Sequence, residues 1–371
     1  MSNFPSCPAG LAAIMAVATV AAAPALAQAN ALPRDSTARV ERLADGVYAI
    51  IHDDATDQWP HGNTGVVVYD DGVLVVDATY LPSRARADIA LIRALSDQPV
   101  RYLVNTHWHM DHTYGNEAYR DAFPGVVIVS ERETREFSEL DSHYWARFST
   151  APNSTRRAAI RDLETELASG RDSTGKAYSA EEKRRLETVI GQRSNELEEL
   201  AKVRIVVADQ VFDRSMTLRL GGRRIELVDR GRANSPHDVT VYLPDERVLF
   251  TGDIVVQSPL PYTGMSWPVP WIDVLKEIEQ VPVSFLVPGH GPVMRDHGYT
   301  RRVRELLQAA TSRTAAMARR GKPVEEIQDS VRLEDIRRRV PAWADPKHDA
   351  DWDYIVRAVV ERAWRGVRGH G

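Results

Sequence analysis

The chain has 371 residues, with 47 basic and 52 acidic side chains, a net charge of −5 and a single cysteine. A mildly acidic chain with both signs interspersed predicts a soluble surface and excludes a basic nucleic-acid footprint, so we expect no nucleic-acid partner. The length allows one large domain with additions. The lone Cys7 excludes an internal disulfide.

The first residues have the layout of a secretory signal. An alanine-rich apolar run extends from Leu11 to Val20, and Ala25-Leu26-Ala27 forms a small-residue exit before Gln28. The run is too short to cross a bilayer as a helix. We therefore predict a signal peptide at 1–27, a mature chain in the periplasm or secreted, and no stable membrane span after signal removal.

Strands and helices alternate through the first half of the predicted mature chain. A strand at 46–51 precedes a hairpin over 65–77, whose Asp-Gly turn between apolar runs is a strong hairpin signal. A helix at 83–95, a strand at 100–104, a short helix at 115–122 and a strand at 126–129 follow. This order predicts an α/β fold.

The second half predicts a similar design after an interruption. The stretch at about 131–202 is rich in Arg, Glu and Ala and indicates a helical insertion. Strands resume at 203–208, 216–220 and 224–228, followed by a hairpin over 239–250, a pocket loop at 262–271 and a last strand at 283–287. Helical apolar stripes then predict C-terminal helices at 299–371 that pack on the main domain at 28–298.

A run of metal-ligand residues follows the strand at 100–104. In Thr106-His107-Trp108-His109-Met110-Asp111-His112, three of the chain's 11 histidines and an aspartate lie within one short segment. A loop leaving a strand can aim alternate residues at two adjacent ions. We predict that His107 and His109 bind one ion and that Asp111 and His112 bind another. A solvated histidine-rich turn is the competing interpretation.

Two further candidates follow strands in the second half. They are Thr251-Gly252-Asp253, after the second hairpin, and Pro288-Gly289-His290-Gly291, after the last strand. The carboxyl ends of strands are where α/β sheets present ligands. Either turn alone is a weak signal, because such turns are common in loops. Together with the first run they form a candidate metal site, in which the two oxygens of Asp253 could bridge two cations.

The His-x-His-x-Asp-His run, the Gly-Asp turn and the Pro-Gly-His-Gly turn, in this order, resemble the metallo-β-lactamase fold superfamily over roughly 41–294. The resemblance implies an α/β fold, a four-layer αβ/βα sandwich, with a dinuclear metal site at one edge of its two sheets. It implies His107 and His109 at the first ion, Asp111, His112 and His290 at the second, and Asp253 between them. We expect one or two Zn²⁺ ions, with iron or manganese left open.

One turn departs from the pattern of this family. Members usually carry a histidine in a Gly-His-Thr-Pro type turn before the second hairpin, and here Asn234 stands in its place. An amide oxygen is a poorer zinc ligand than an imidazole nitrogen, so the first site is expected to be weaker or to hold a harder metal. Asn234 could be a weak ligand or support one by a hydrogen bond. His237 could replace it, or be a surface histidine in the turn.

The predicted function is an exported metal-dependent hydrolase in which a zinc-bound hydroxide, oriented by Asp111 as the catalytic residue, attacks a small ester, lactone or amide. The chain has no Gly-x-Ser-x-Gly motif that would indicate a serine nucleophile. A periplasmic β-lactamase is the second candidate. The resemblance implies that Asp253 is a bridging carboxylate, and the lactamases of this family mostly lack that carboxylate. The alternative of another class is a metal-binding, ligand-binding or iron-dependent redox protein without hydrolytic turnover.

The expected partner is a small-molecule substrate. Aromatic-rich loops supply candidates for the walls of its pocket: Trp59, His61, Trp108 and Trp267. For each aromatic side chain, core packing is the competing interpretation.

Overall fold

The structure, a computed structural model, describes residues 38–52, 61–172, 174–257 and 260–369, without the side chains of 141–145. The predicted signal peptide at 1–27, with Cys7, and the predicted pocket residue Trp59 lie outside the described residues. In the part that is described, no helix combines the length and the apolar character that crossing a membrane requires.

A seven-stranded sheet contains the strands of the first half in chain order. Its first four strands pair antiparallel, and the fourth to the seventh pair parallel. The predicted hairpin is confirmed, with Tyr69 opposite Gly72. The strands are β1 (Ala38–Ala44), β2 (Val47–His52), β3 (Thr64–Tyr69), β4 (Gly72–Val76), β5 (Val100–Val104), β6 (Val127–Glu131) and β7 (Gln210–Phe212).

The helices of the first half are α1 (Pro82–Leu95), α2 (Met110–Thr113), α3 (Asn116–Ala122), α4 (Arg132–Thr150), α5 (Thr155–Ser169) and α6 (Ala180–Leu200). The last three occupy the stretch where the sequence predicts a helical insertion. Ser179 begins α6 with a capping box, in which it and Glu182 satisfy each other's backbone N–H groups. Gly170 ends α5 at a φ of 68°, a conformation that glycine adopts without strain.

The second half builds a five-stranded sheet in the order β12-β11-β10-β9-β8. Its strands are β8 (Ser215–Leu220), β9 (Arg223–Asp229), β10 (Val239–Leu243), β11 (Val248–Phe250) and β12 (Phe285–Val287). The remaining helices are α7 (Pro268–Ile278), α8 (Gly298–Ala318), α9 (Val324–Ser330), α10 (Glu334–Arg337), α11 (Pro341–Ala344) and α12 (Asp349–Val367). β11 and β12 are parallel, so their carboxyl ends meet at one edge.

Buried apolar side chains form the predicted αβ/βα sandwich. One cluster joins α1 and α3 to the outer face of the first sheet, and includes Ile89 and Ile128. A second lies between the sheets, where Leu74 and Leu227 are both buried. A third packs α7, α8 and α12 on the other face of the second sheet, around Trp271. Each fully buried Leu, Ile or Phe contributes about 1.5–3 kcal/mol, so these layers dominate stability.

Two local predictions are wrong. No strand forms at 203–208; Val203 and Ile205 instead pack beside Leu200, and the seventh strand begins at Gln210. The predicted pocket loop at 262–271 ends early, because α7 begins at Pro268. Proline suits the first turn of a helix, where its missing N–H has no partner to lose.

Candidate metal centre

All six predicted ligands lie together and are buried. His107, His109, Asp111 and His112 follow β5, Asp253 lies in the 3-10 turn after β11, and His290 follows β12. Within the described residues their atoms form two metal-competent groups. One contains His107, His109 and Asp253, and the other contains Asp111, His112, Asp253 and His290. Asp253 belongs to both groups, as a bridging carboxylate would.

The first group contains two imidazoles and one carboxylate oxygen. Nε2 of His107 lies 2.9 Å from Nδ1 of His109 and 3.7 Å from Oδ2 of Asp253. A tetrahedral zinc with bonds of about 2.0–2.1 Å holds its ligand atoms about 3.3–3.4 Å apart. The spacing in this group is close to that value, and its three donors leave a fourth tetrahedral position to another ligand.

The second group has four donors at similar spacing. Nε2 of His112 lies 3.2 Å from Nε2 of His290 and 3.2 Å from Oδ1 of Asp253. Nε2 of His290 lies 3.0 Å from Oδ2 of Asp111. Imidazole nitrogens and carboxylate oxygens are the donor set of zinc and related divalent ions. The residues present therefore fit the metal that the family pattern implies.

Asp77 orients two of the histidine ligands by hydrogen bonds, to His112 directly and to His107 through Thr106. Its Oδ2 accepts a hydrogen bond from the Thr106 hydroxyl at 2.8 Å and lies 2.9 Å from Nδ1 of His112. Because the Thr106 hydroxyl donates to Asp77, its oxygen is left to accept from Nδ1 of His107, 3.0 Å away. These contacts place the ring protons on Nδ1 and leave Nε2 of His107 and His112 for a metal ion.

The two groups differ in their electrostatics. Burial lowers the pKa of both His107 and His109, so these imidazoles are neutral, as metal ligands must be. Burial also acts against the charge of His112, but Asp253, Asp111 and Asp77 raise its pKa well above the usual value. The carboxylates of the second group therefore favour a positive charge beside them. In the metal-free protein that charge is a proton on His112, and a bound cation would take its place.

Two glycines allow the ligand loops to approach one another. A Cβ atom on Gly289 would lie 2.0 Å from Oδ1 of Asp253, and one on Gly62 would lie 2.7 Å from the His112 ring. Real Cβ contacts are essentially never shorter than 3.0 Å. Any larger residue at Gly289 would displace the shared carboxylate.

Asn63 joins the ligand loops and was not predicted from the sequence. Its side-chain amide donates to the carbonyls of Pro288 at 3.0 Å and Gly291 at 2.9 Å, on either side of His290. Its backbone N–H donates to the Gly289 carbonyl at 2.7 Å, and the neighbouring Gly62 N–H donates to the Asp111 carbonyl at 3.1 Å. The segment thus connects the loop of Asp111 with the loop of His290.

Asp77 and Asp238 are the other residues that the sequence reasoning missed. Burial and the charge of Asp253 raise the pKa of Asp238 to about 7, although its carboxylate accepts a hydrogen bond from the Ser235 N–H at 2.7 Å. Both acids directly follow or precede buried strands, which is the one sequence signal that could have found them. Neither belongs to a histidine-rich motif, so nothing in their neighbourhood drew attention to them.

Asn234 and His237 have different surroundings. Asn234 is fully buried, and its amide donates to the Tyr262 carbonyl at 2.9 Å, while its Oδ1 receives no hydrogen bond from any described residue. His237 lies 3.1 Å from Asp229 and 3.1 Å from Glu133, outside both ligand groups. The structure therefore does not bring His237 to the first group, because acidic side chains hold its ring elsewhere.

The three pocket candidates among the described residues differ in their burial and in their neighbours. The Trp108 side chain is buried. The centroid of its ring lies 4.9 Å from that of His109 and 6.1 Å from that of Phe137 in α4, so the helical insertion packs beside the centre. His61 lies 5.9 Å from Tyr80, in the same segment as Gly62. Trp267 is half-buried at the start of α7, beside Arg232 and Arg362.

A family model described as the metallo-beta-lactamase superfamily matches residues 57–318. The chain belongs to the metallo-β-lactamase superfamily. The predicted family and fold are thereby confirmed, as is the prediction of an enzyme at the level of a superfamily hydrolase.

Among curated proteins, the chain is similar to a linear primary-alkylsulfatase from Pseudomonas sp. (strain ATCC 19151). The two are 23% identical over 273 residues, which is 71% of this chain and 48% of the relative. The chain thus spans about half the length of the curated relative that it matches.

Two solved structures illustrate the shared fold. The stereoselective inverting sec-alkylsulfatase from Pseudomonas sp. has a TM-score of 0.60 and 15% identity, covering 89% of this chain and 50% of its own. A metallo-β-lactamase from Pontibacter korlensis has a TM-score of 0.50 and 18% identity, covering 73% of this chain and 99% of its own. At such identities the likeness concerns the fold alone.

Proposed function

We propose that this superfamily member is a metal-dependent hydrolase of small esters, and that sulfate esters are the first substrate class to test. The observation that carries the proposal is the pair of buried ligand groups that share Asp253. The choice of sulfate esters is supported by the similarity of this chain to a linear primary-alkylsulfatase. Lactones, amides and β-lactams are the other substrates that the predicted chemistry would accept.

The first ion would be held by His107, His109 and Asp253, and the second by Asp111, His112, Asp253 and His290. Zn²⁺ is the metal that the nitrogen-rich donor set favours. A bound divalent ion lowers the pKa of water and polarises an ester oxygen.

Asp111 is the residue that we assign to the attacking water. Burial raises the pKa of a carboxyl group, but His112 and His290 outweigh burial here and hold the pKa of Asp111 well below its usual value. Asp111 is thus ionised in the metal-free centre, and a bound cation would favour the same charged form. Its oxygens can then accept a hydrogen bond from water and direct the water lone pair at the ester. The water oxygen bonds to the carbon or sulfur atom of the ester, the bond from that atom to the alcohol oxygen breaks, and the departing alcohol takes up the proton that the water loses.

The test combines metal analysis with a substrate panel. We would measure zinc, iron and manganese in protein purified without chelator, and assay decyl sulfate, p-nitrophenyl acetate, a lactone and a chromogenic cephalosporin. We expect zinc and hydrolysis of an ester. Asp111→Asn should abolish turnover, whereas Asp121→Asn, at an exposed aspartate that pairs with Arg204, should leave it unchanged. Iron without hydrolysis of any substrate would contradict the proposal.

Export is part of the proposal. The apolar run from Leu11 to Val20 and the small-residue exit Ala25-Leu26-Ala27 support cleavage before Gln28 and a periplasmic or secreted enzyme. Amino-terminal sequencing of the protein from a periplasmic fraction tests this. A product that retains Met1, or that is found with the cytoplasmic fraction, would contradict export.

A further inference from the structure

The segment between the turn of Asp253 and helix α7 passes beside the first ligand group. The ring of Tyr262 lies edge-on to His109, with centroids 6.4 Å apart. The Tyr262 carbonyl accepts the hydrogen bond from Asn234. Its contact with His109 and its hydrogen bond from Asn234 make Tyr262 a wall beside the first ligand group.

Helix α12 holds this segment in place from nearly a hundred residues away in the chain. The Thr263 hydroxyl donates to the Ile355 carbonyl at 3.1 Å, and Nε of Arg362 donates to the Ser266 carbonyl at 2.6 Å. The apolar face of the helix is buried in the core, where Ile355 and Val359 pack. The C-terminal helix is thus fixed both to the core and to the segment that passes the metal centre.

Tyr354 is the side chain of α12 that reaches the wall. The Tyr262 hydroxyl donates a hydrogen bond to the Tyr354 hydroxyl, which stabilises the neutral phenol and contributes to the raised pKa of Tyr262. Yet 55% of Tyr354 is exposed, although its hydroxyl is held by the half-buried Tyr262. Its ring therefore presents apolar surface to solvent next to Tyr262, which contacts the first ligand group.

Two arginines add positive charge to the same wall. The guanidinium carbons of Arg362 and Arg232 lie 4.9 Å and 5.7 Å from the centre of the Trp267 ring. Arg232 is exposed, and it comes from the turn that also contains Asn234. A positively charged rim on a cleft attracts anionic ligands and raises their local concentration.

We propose that α12 builds the substrate-binding wall of the metal centre. The Tyr354 ring packs against the apolar body of the substrate, and Arg232 and Arg362 beside Trp267 attract its negative charge. The ligand class is an anionic ester with an apolar body. This inference rests on the proposed hydrolase function, but it concerns binding and can be tested without turnover.

The probe is decanesulfonate, whose carbon–sulfur bond is not an ester and cannot be hydrolysed. Binding to the metal-loaded protein is measured by calorimetry, with KM and kcat for decyl sulfate measured in parallel. Tyr354→Ala should weaken decanesulfonate binding about tenfold, because the tail loses its aromatic contact. Tyr354→Phe keeps the ring and should restore the affinity to within about twofold. The KM for decyl sulfate should rise with the dissociation constant, while kcat and metal content stay unchanged.

A second pair of variants tests the charge. Arg232→Met should weaken decanesulfonate binding several-fold at low salt and less at high salt, because salt screens exposed charges. The matched control is Arg368→Met, directly after the end of α12, whose guanidinium lies 4.9 Å from the Trp364 ring. This control should bind as the parent does.

Each outcome is decisive. If the parent does not bind decanesulfonate, or if Tyr354→Ala and Arg232→Met bind it as tightly as the parent, the wall proposal is wrong, whatever the enzyme hydrolyses. If the parent hydrolyses no ester but these variants lose decanesulfonate binding, the wall stands and the proposed function fails.

Discussion

Oδ2 of Asp77 lies 2.9 Å from Nδ1 of His112, on the side of the ring away from the other ligands. The same carboxylate accepts hydrogen bonds from the backbone and the hydroxyl of Thr106, both at 2.8 Å. One buried acid, at the end of β4, thereby fixes the start of the ligand run and the direction of a ligand ring.

Replacing Asp77 with asparagine should weaken metal binding. An amide keeps one acceptor oxygen and puts a donor nitrogen in place of the other. It therefore cannot accept from the backbone N–H of Thr106 at one position and from the Thr106 hydroxyl and His112 at the other. Loss of such an outer partner typically costs about 10–100-fold in metal affinity. Zinc titration against a competing chelator measures the change, with circular dichroism as the check on folding. An unchanged affinity in a folded variant would show that Asp77 does not orient His112.

Because Asp253 belongs to both ligand groups, we expect Asp253→Ala to lose more metal than His290→Ala. Oδ2 of Asp253 faces the first group and Oδ1 the second, so Asp253→Ala should weaken both sites. His290→Ala should weaken the second site alone. We expect about one zinc per chain in His290→Ala and less than that in Asp253→Ala, by elemental analysis after dialysis. Equal zinc contents in the two variants would argue against a bridging role.

Gly289→Ala should disrupt the centre through one added methyl group. The new Cβ would lie 2.0 Å from Oδ1 of Asp253 and 2.8 Å from the backbone of Gly252, so the carboxylate or the loop must move. We expect zinc binding and hydrolysis to fall by at least about tenfold. Gly125→Ala is the control, since a Cβ there meets nothing within 4 Å among the described atoms. If both variants keep their zinc, the loops are less tightly packed than described.

The C-terminal helices should be part of the cooperative fold. Trp343 of α11 is fully buried, packs beside Trp352 and donates a hydrogen bond to the Tyr299 hydroxyl at 3.2 Å. Truncation of a buried tryptophan costs about 3–5 kcal/mol. Urea unfolding of Trp343→Ala should show one transition at a lower midpoint, whereas Leu140→Ala, at a 73% exposed position, should match the parent. A separate early transition would indicate an independent C-terminal domain.

His237 predicts a stability that depends on pH. Its hydrogen bond to Asp229 raises the pKa of His237 to about 9, against a burial effect in the other direction. The unfolded pKa is about 6.5, so the stabilisation is complete below pH 6.5 and is lost as pH rises through 9. His237→Gln should therefore lower the melting temperature more at pH 6 than at pH 10. The same loss at both pH values would mean that its charge does not stabilise the fold.

The sequence predicted most of the fold because its signals were local. The Asp-Gly turn fixed the first hairpin, and the apolar stripe of α12 predicted the burial of Trp352, Ile355 and Val359, which the structure has. The strand expected at 203–208 did not form, because β-branched residues there pack on α6 and do not pair. Propensity alone does not tell these two environments apart.

For the site, the sequence brought together the histidines and acids whose spacing is distinctive. Asp77, Asn63 and Asp238 were missed because their importance depends on contacts with residues far along the chain, such as the hydrogen bond of Asn63 to Pro288. The surroundings of His237 could not be predicted for the same reason, since Glu133 reaches it from the insertion. When a candidate ligand lies in a turn, its contacts depend on which other elements the fold places beside it, and these cannot be read from the local sequence.

The candidate ligands come from both sheets, with four after β5 and the others after β11 and β12. Each ligand group contains residues from both halves of the sandwich, so metal binding is linked to the joining of the halves. An ion at 100 times its dissociation constant adds about 2.7 kcal/mol to the free energy of unfolding. The supply of the bound metal around the protein would therefore affect how long each molecule survives proteolysis, in addition to how fast it works.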